Sequence, residues 1–286
     1  MNYVILDLEW NTAYSKSEGQ FINEIIEFGA VKLNEKLKVI DEFSSFVRPQ
    51  IEKKLRSRVK TLTNISNHDV ENAETFDVVC EKFTKWTGDP EDVVVMSWGE
   101  MDIRALISNC KYFFDNSVIP FVSKYIDLQA YFMQMKGLPK GNQIGLSNAA
   151  AMIEVNPDDF VHHRALNDSE LSAECFKAVF DEPTLKKNIV VCDSDFYKRI
   201  LFKPYFVTDI NDKLVDKTQF CCKCLECGEQ ANQIKDWSSR NNSFSALYYC
   251  KSCKIKYRVN VQFRKTYSQL NTKKSVIVIE SSGSDK

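Results

Sequence analysis

The stretch YVILDLEW, residues 3–10, decides the fold, because it is a short apolar run of strand-forming residues that contains two acids. Side chains of a strand alternate between its two faces, so Asp7 and Glu9 share a face with Ile5. Two carboxylates on an apolar face are costly unless a partner neutralises them. An Asp-x-Glu pattern is expected about once by chance in a chain of this length. Its position at the end of a buried first strand makes Asp7 and Glu9 candidate site residues.

The segments that follow indicate an α/β domain. Residues 21–33 and 38–47 have strand patterns, and Arg48-Pro49 closes the second of them. Helical patterns then alternate with short apolar runs. The predicted helices are 66–86, 100–113, 128–136, 145–153 and 165–180, and the predicted strands are 93–96 and 125–127. Three consecutive strands followed by alternating elements favour a mixed sheet flanked by helices.

Two more acids stand where the helical pattern predicts a buried stripe. Asp102 aligns with apolar residues of the predicted helix 100–113, and Asp168 aligns with those of helix 165–180. The helix dipole also favours an acid in a first turn, which accounts for Asp102 without a ligand. Together with the first two acids they would form one costly negative cluster. Mg²⁺, which prefers hard oxygen ligands, would neutralise such a cluster.

A histidine five residues before Asp168 is a candidate proton acceptor. His163 stands just ahead of the predicted helix, where it could take a proton from water near the acids. A lone histidine is more often structural than catalytic. His162 is adjacent, so the choice between the two depends on spacing and not on chemistry.

Six of the ten cysteines lie between Cys221 and Cys253. In a chain without a secretion signal, such a cluster favours metal binding over disulfides. Two C-x₂-C pairs separated by 22 residues predict one structural Zn²⁺ in a ribbon-type site, with ligands Cys224, Cys227, Cys250 and Cys253. Cys221 or Cys222 remains an alternative ligand, although Gly228 supplies the turn residue expected after the pair at 224 and 227. Because the module is small, we expect zinc to replace a core and to couple binding with folding.

Charge is distributed unevenly along the chain. Residues 203–286 carry 15 basic and 8 acidic residues, whereas the preceding 202 residues carry 23 and 31. Alternation places Lys254, Lys256 and Arg258 on one strand face. This basic row favours nucleic-acid binding. A protein contact through the ribbon or a purely structural role are the alternatives.

Composition narrows the class of protein. With 44% hydrophobic and 27% charged residues in 286, the chain can build a sizeable core, which argues against general disorder. No apolar run approaches the roughly 18–20 residues of a membrane span. The first residues lack the basic segment and cleavage site of a secretion signal. We expect a cytoplasmic protein that does not contact membranes.

These motifs together resemble the DEDDh 3′–5′ exonucleases of the DnaQ-like superfamily. Three segments carry the resemblance: DLE at 7–9, WGEMD at 98–102 and HRALND at 163–168, which fits the H-x-A-x-x-D pattern and selects His163 over His162. Further agreement lies in EIIEFGA at 24–30, LTNI at 62–65, YIDL at 125–128 and GLS at 145–147. The similarity covers about residues 1–182 and is greatest to the branch of histone-mRNA exonucleases and KapD-type bacterial proteins.

The resemblance implies an RNase H-like fold that binds two Mg²⁺ or Mn²⁺ ions. By this similarity, His163 is the general base and the metal ligands are Asp7, Glu9, Asp102 and Asp168. Trp10 and Phe21 are interpreted as rings that stack on terminal bases, with core packing as the alternative.

We therefore predict an exonuclease domain over 1–182, a linker over 183–203, a zinc-ribbon module over 204–270 and a C-terminal tail over 271–286. The predicted activity is metal-dependent removal of nucleotides from the 3′ end of single-stranded nucleic acid, with RNA favoured over DNA. The main alternative is a non-catalytic adaptor that binds nucleic acid or protein. A phosphatase for mononucleotides would use the same acids but would not need a basic ribbon.

Overall fold

A computed structural model describes residues 1–139, 141, 143–156 and 163–279. The chain divides into two compact units, Met1–Ile200 and Leu201–Lys286. Among the described residues, no helix is both long enough and apolar enough to cross a membrane. His162 and the final residues 280–286 of the predicted tail lie outside the described part of the chain.

The first unit is built on a mixed sheet. Its strands are β1 (Asn2–Ser15), β2 (Gln20–Leu33), β3 (Val39–Phe46), β4 (Val93–Ser97), β5 (Lys124–Asp127) and β6 (Val190–Val191). Their order across the described sheet is β3-β2-β1-β4-β5-β6. The first three strands pair antiparallel, whereas β4 runs parallel to both β1 and β5. This arrangement confirms the predicted mixed α/β architecture.

Helices cover both faces of this sheet. They are α1 (Ser57–Thr63), α2 (Asn67–Glu71), α3 (Phe76–Thr87), α4 (Met101–Phe114), α5 (Leu128–Met135), α6 (Leu146–Ala151), α7 (Ala165–Val179), α8 (Glu182–Asn188) and α9 (Ser194–Leu201). Leu6 of β1 belongs to one buried core with Phe83 of α3 and Leu106 of α4. Its neighbour Ile5 belongs to the opposite core, with Phe176 of α7. Alternate side chains of β1 therefore pack into two different cores, as expected for a strand that is buried on both faces.

The single helix expected over 66–86 is two helices in the structure. Its predicted start at Ser66 is correct, because Ser66 and Asp69 form a capping box. The helix ends at Glu71, and α3 begins only at Phe76. Between them, Glu74 accepts a hydrogen bond from Arg48 N–H at 2.8 Å and pairs with Val47 after β3. A tertiary backbone contact therefore interrupts the helical pattern.

The segment 183–203, expected to be a linker, contains most of α8, then β6 and α9. Phe196, Tyr197 and Ile200 of α9 are buried in the core beside α4. Asp193 caps this helix through the Phe196 N–H at 3.0 Å. The segment is thus part of the first unit, because its apolar residues lie on one helical face.

The second unit is an antiparallel sheet. Its strands are β7 (Tyr205–Phe206), β8 (Asn232–Arg240), β9 (Ser243–Cys250), β10 (Ile255–Lys265) and β11 (Leu270–Ile279). The order is β11-β10-β9-β8 within the described residues, and β7 also pairs with β10. Residues 271–279, expected to belong to a tail, form β11 and pair with β10 along its length. Strand β10 buries Tyr257, Val259, Val261 and Phe263, so this unit has a core of its own.

Candidate functional site

A cleft of about 500 Å³ opens where β4 ends beside β1. Strand β4 pairs with β1 only over Asn2–Ile5. The next residues of β1 therefore lie at an edge that none of the described strands covers on this side, and this edge holds the first two predicted acids. The cleft is lined by Asp7, Leu8, Glu9, Trp10, Trp98, Met101, Asp102, Leu146, Ser147, His163 and Asp168. The fold thus brings together all four predicted acids and the predicted histidine.

Asp102 is held against β1 by a backbone hydrogen bond. It lies in the first turn of α4, is buried, and its Oδ1 accepts the N–H of Leu8 at 3.1 Å. This contact fixes the start of α4 between the two acids of β1. The helix-dipole explanation is therefore insufficient, because the carboxylate also points to the open strand edge.

Asp168 and His163 enter the cleft at the start of α7. The backbone N–H of His163 donates to Asp168 Oδ2 at 3.1 Å. Each of Glu9, His163 and Asp168 offers a potential metal-ligand atom, and these atoms lie within 4.8 Å of one another. His163 has a φ of 58°, a left-handed conformation that is strained for a residue with a side chain. Such strain is common where a side chain must be aimed at a functional site.

Gly29 of β2 determines how close α7 can come to the sheet. A Cβ at this position would lie 2.0 Å from the carbonyl carbon of Ala165. Ser169 closes the contact, because its hydroxyl donates to the carbonyl oxygen of Gly29 at 2.9 Å. Only glycine allows α7 to approach β2 this closely. The contact therefore sets the position of Asp168, the residue just before Ser169.

Glu27 and Arg164 form an ion pair that the sequence analysis does not predict. Arg164 Nη2 donates to Glu27 Oε1 at 2.7 Å and Nε donates to the same oxygen at 3.1 Å. Glu27 Oε2 also accepts the N–H of Ala165 at 3.2 Å. The pair therefore anchors the start of α7 to β2, directly after His163. The available signal was a glutamate inside an apolar strand, but its partner lies 137 residues away.

Burial, reinforced by mutual repulsion, opposes ionisation of the cleft acids. Burial, followed by repulsion from Asp168, raises the pKa of Glu9 to about 8. Burial also raises the pKa of Asp102 to about 7, and burial together with Asp102 raises that of Asp7 well above its usual value. Like charges at such a distance cannot all ionise without compensation. The carboxylate oxygens are hard donors, and they share an open cleft with too few cationic side chains to neutralise them. Such a set of donors fits divalent cations.

The two predicted stacking rings lie in different places. Trp10 lines the cleft and packs against the core. Phe21 does not line the cleft; it lies at the far end of the β1–β2 hairpin, opposite Tyr14. The structure therefore brings only Trp10 to the acids.

The second unit contains a cluster of four cysteines. The Sγ atoms of four cysteines all lie within 4.8 Å of one another: Cys224, Cys227, Cys250 and Cys253. Tetrahedral zinc with bonds of about 2.3 Å would place these sulfurs about 3.8 Å apart. Cys221 and Cys222 are not in the cluster, and the Sγ of Cys221 lies 3.5 Å from Lys274 Nζ. The geometry thus fits the predicted small zinc module.

Local geometry prepares these thiols to bind metal. Gly228 and Lys254 follow the two cysteine pairs and have left-handed φ values of 76° and 59°. The buried Tyr257 hydroxyl lies 3.0 Å from Cys224 Sγ and accepts the N–H of Leu225 at 3.2 Å. The Cys227 N–H, with the Tyr257 hydroxyl second, lowers the pKa of Cys224 to about 6. A thiolate is therefore favoured at Cys224 at neutral pH, and thiolate is the form that binds zinc, whereas the neighbouring thiols raise the pKa of Cys253 to about 12.

The predicted basic row lies on the exposed face of β10 and the turn before it. Lys254, Lys256 and Arg258 are exposed. Arg258 also lines a groove of about 580 Å³ with Lys235 and Arg240. The lining of this groove contains no acid among the described residues.

Comparison with known proteins identifies relatives of the first unit. Residues 4–176 match the family model described as RNase_T: Exonuclease. The chain is 32% identical over 178 residues to the probable 3′-5′ exonuclease KapD of Bacillus subtilis, covering 62% of this chain and 83% of that protein. It is 29% identical over 148 residues to human 3′-5′ exoribonuclease 1, covering 48% of this chain but only 40% of that protein.

Solved structures show the same fold. The nuclease domain of 3′hExo, described as a DEDDh family member bound to rAMP, superposes with a TM-score of 0.55 and 23% identity. The superposition covers 67% of this chain and 96% of that domain. The mixed sheet and its flanking helices are therefore those of the RNase H-like exonuclease fold.

Proposed function

The chain belongs to the RNase_T exonuclease family, and we propose that it is a DEDDh-type 3′–5′ exonuclease that degrades single-stranded nucleic acid, RNA in preference to DNA. One observation carries the proposal: Asp7, Glu9, Asp102, His163 and Asp168 line a single cleft at the open edge of β1. A cleft at an open strand edge can admit the end of a nucleic-acid chain. The carboxylates that line the cleft would by themselves repel the phosphates of that chain. Cations must therefore mediate the contact.

Members of the family depend on divalent metals, and we assign two Mg²⁺ or Mn²⁺ ions to this cleft. Their ligands would be the carboxylates of Asp7, Glu9, Asp102 and Asp168. When bound, the ions would polarise the scissile phosphate and stabilise the negative charge that develops on it. The raised carboxyl pKa values support this assignment, because a cation favours the ionised form of each acid.

His163 would act as the general base. In the reaction, water adds to the phosphorus of the terminal phosphodiester, and its proton passes to the imidazole. The bond from phosphorus to the 3′ oxygen of the penultimate nucleotide breaks, that oxygen takes a proton from solvent water, and the imidazolium of His163 returns its proton to solvent. The link between the His163 backbone and Asp168 at 3.1 Å would keep the ring beside the acids. Trp10, which lines the cleft, would stack on the terminal base.

The preference for RNA follows the relatives. One of them carries the name exoribonuclease, and the 3′hExo domain is bound to a ribonucleotide. In the second unit, one Zn²⁺ on the four cysteines would hold the ribbon, and Lys254, Lys256 and Arg258 would contact phosphates. Cationic side chains in an exposed row supply affinity without sequence preference. The ribbon would thus increase the affinity for the nucleic-acid strand.

The test follows single-stranded RNA and DNA of equal length, each labelled at the 5′ end, after addition of the protein and Mg²⁺ or Mn²⁺. We expect a ladder that shortens from the 3′ end, faster for RNA. Asp7→Ala provides the inactive control, because it removes a cleft carboxylate. Intact substrates under every metal condition would refute the enzyme and favour the adaptor. Equal rates on both sugars would refute the RNA preference alone.

A further inference from the structure

Two exposed aromatic rings lie at the end of the β1–β2 hairpin. Tyr14 and Phe21 face each other across the hairpin, with ring centroids 5.2 Å apart. Their exposed fractions are 43% and 62%. Large apolar rings on a surface commonly mark a contact with a partner. Aromatic faces of this kind are where the bases of single strands stack.

A basic run of the sequence places one of its cations, Arg56, against these rings. The segment KKLRSRVK at 53–60, here called the basic segment, has five basic residues and no acid. It contrasts with the excess of acids in the first 202 residues. The guanidinium of Arg56 lies over the Phe21 ring at 5.3 Å from its centre. Positive charge and stacking surface therefore occur together, as in sites for single-stranded nucleic acid.

Buried polar side chains hold the basic segment at Arg56 and the residues just before the segment. The carboxylate of buried Glu24 accepts the backbone N–H groups of Gln50 at 2.5 Å and Ile51 at 2.7 Å. Asn11, which is fully buried, accepts the N–H of Arg56 at 3.0 Å. The segment is thus fixed on β1 before any ligand binds, which reduces the entropy lost on binding.

Tyr14 lies on the same strand as the cleft acids Asp7 and Glu9, and Phe21 lies on the paired strand β2. Tyr14 follows Glu9 on β1 by five residues, a distance of about 17 Å at the usual rise of a strand. We propose that Tyr14, Phe21 and the basic segment form an upstream subsite for single-stranded nucleic acid whose 3′ end occupies the cleft. The rings stack on bases several nucleotides from the end, and the cations neutralise the phosphates between them. This inference deepens the proposed function and rests on it.

The test measures equilibrium binding of a dye-labelled single strand of about ten nucleotides to the full chain, with Asp7→Asn in every variant to stop hydrolysis. Phe21→Ala is expected to weaken binding about tenfold, and Phe21→Trp is expected to retain it. The double variant Lys53→Ala/Lys54→Ala should also weaken binding and flatten its salt dependence. Lys82→Ala/Lys85→Ala on α3 removes the same charge elsewhere, and it should bind like the parent.

Three results would overturn the subsite. One is unchanged binding in both Phe21→Ala and Lys53→Ala/Lys54→Ala while their circular dichroism matches that of the parent. A second is an equal loss of binding in Lys82→Ala/Lys85→Ala, because it would show that binding depends on net charge alone. Polyglutamate that competes as well as the oligonucleotide would also refute it, by favouring an acidic protein partner. Loss of binding in Phe21→Ala without any hydrolysis by the native chain would retain the subsite and reject the exonuclease.

Discussion

Replacement of Gly29 by alanine tests how the site is assembled. The added Cβ would lie 2.0 Å from both Ala165 C and Leu166 N. Non-bonded heavy atoms pack at about 3.5–4.0 Å, so the start of α7 would have to retreat by about 1.5 Å. The clash is with backbone atoms, which cannot rotate away. The displacement would move His163 and Asp168 together.

Two magnitudes follow from this displacement. Overpacking of a filled core typically costs about 1–3 kcal/mol, and we expect the upper end for Gly29→Ala. Misplacement of catalytic groups by about 1 Å can lower a rate about 100-fold. We therefore expect kcat for single-strand hydrolysis to fall about 100-fold while the protein remains folded.

The assay combines urea unfolding with initial rates on a 5′-labelled oligonucleotide. Gly145→Ala is the matched control, because Gly145 has a φ of −67° and nothing within 4 Å of its Cβ position. It should lose at most about 1 kcal/mol, the scale of a helix-cap change, and keep its rate. A Gly29→Ala protein with native stability and rate would refute the argument that α7 needs this contact.

Three further predictions concern charge and metal. Arg164→Ala removes the ion-pair partner of buried Glu27, whose only remaining donor of those described above is the Ala165 N–H. Because Arg164 is partly exposed, the free energy of unfolding should fall by about 1.5–3 kcal/mol, the range for hydrogen bonds to a charged group, in urea unfolding; a fall below about 1 kcal/mol, the value of an exposed pair, would refute the anchor. The pKa of Glu9 rises from 4.5 to about 8 on folding, so its stabilising contribution is present below pH 4.5 and lost as pH rises through 8. In the absence of Mg²⁺ and Mn²⁺, the Tm should therefore fall as the pH rises from 4.5 to 8, and it should fall less in Glu9→Gln. Identical curves of Tm against pH for the two proteins would contradict the raised pKa of Glu9. Tyr257→Phe removes the hydroxyl beside Cys224, so a chelator should extract the metal about tenfold faster or more; an unchanged rate would exclude this role.

Local sequence patterns predicted the parts of the molecule that depend on neighbouring residues. Asp7, Glu9, Asp102 and Asp168 stand out because each breaks an apolar pattern, and the structure brings all four to one cleft. The cysteine pairs depend on spacing within short turns, so their cluster was also predictable. The order of the predicted strands and helices likewise indicated the mixed sheet.

Contacts between distant residues could not be predicted. The pair of Glu27 with Arg164, the close approach of α7 to Gly29 and the break before Phe76 each depend on a partner far along the chain. The core of the second unit was also unexpected. The aromatic rings of Phe220, Trp237, Phe244 and Phe263 pack beside the cysteines, so a metal bound there would supplement a core and not replace it.

The central claim is that the four acids of the cleft serve to hold divalent cations. Anomalous diffraction from crystals soaked in Mn²⁺ tests it most directly. We predict manganese peaks about 2.0–2.6 Å from carboxylate oxygens of Asp7, Glu9, Asp102 and Asp168, which disappear or weaken in Asp7→Asn crystals. Saturating Mn²⁺ that leaves this cleft empty, or that binds only elsewhere on the protein, would contradict the account.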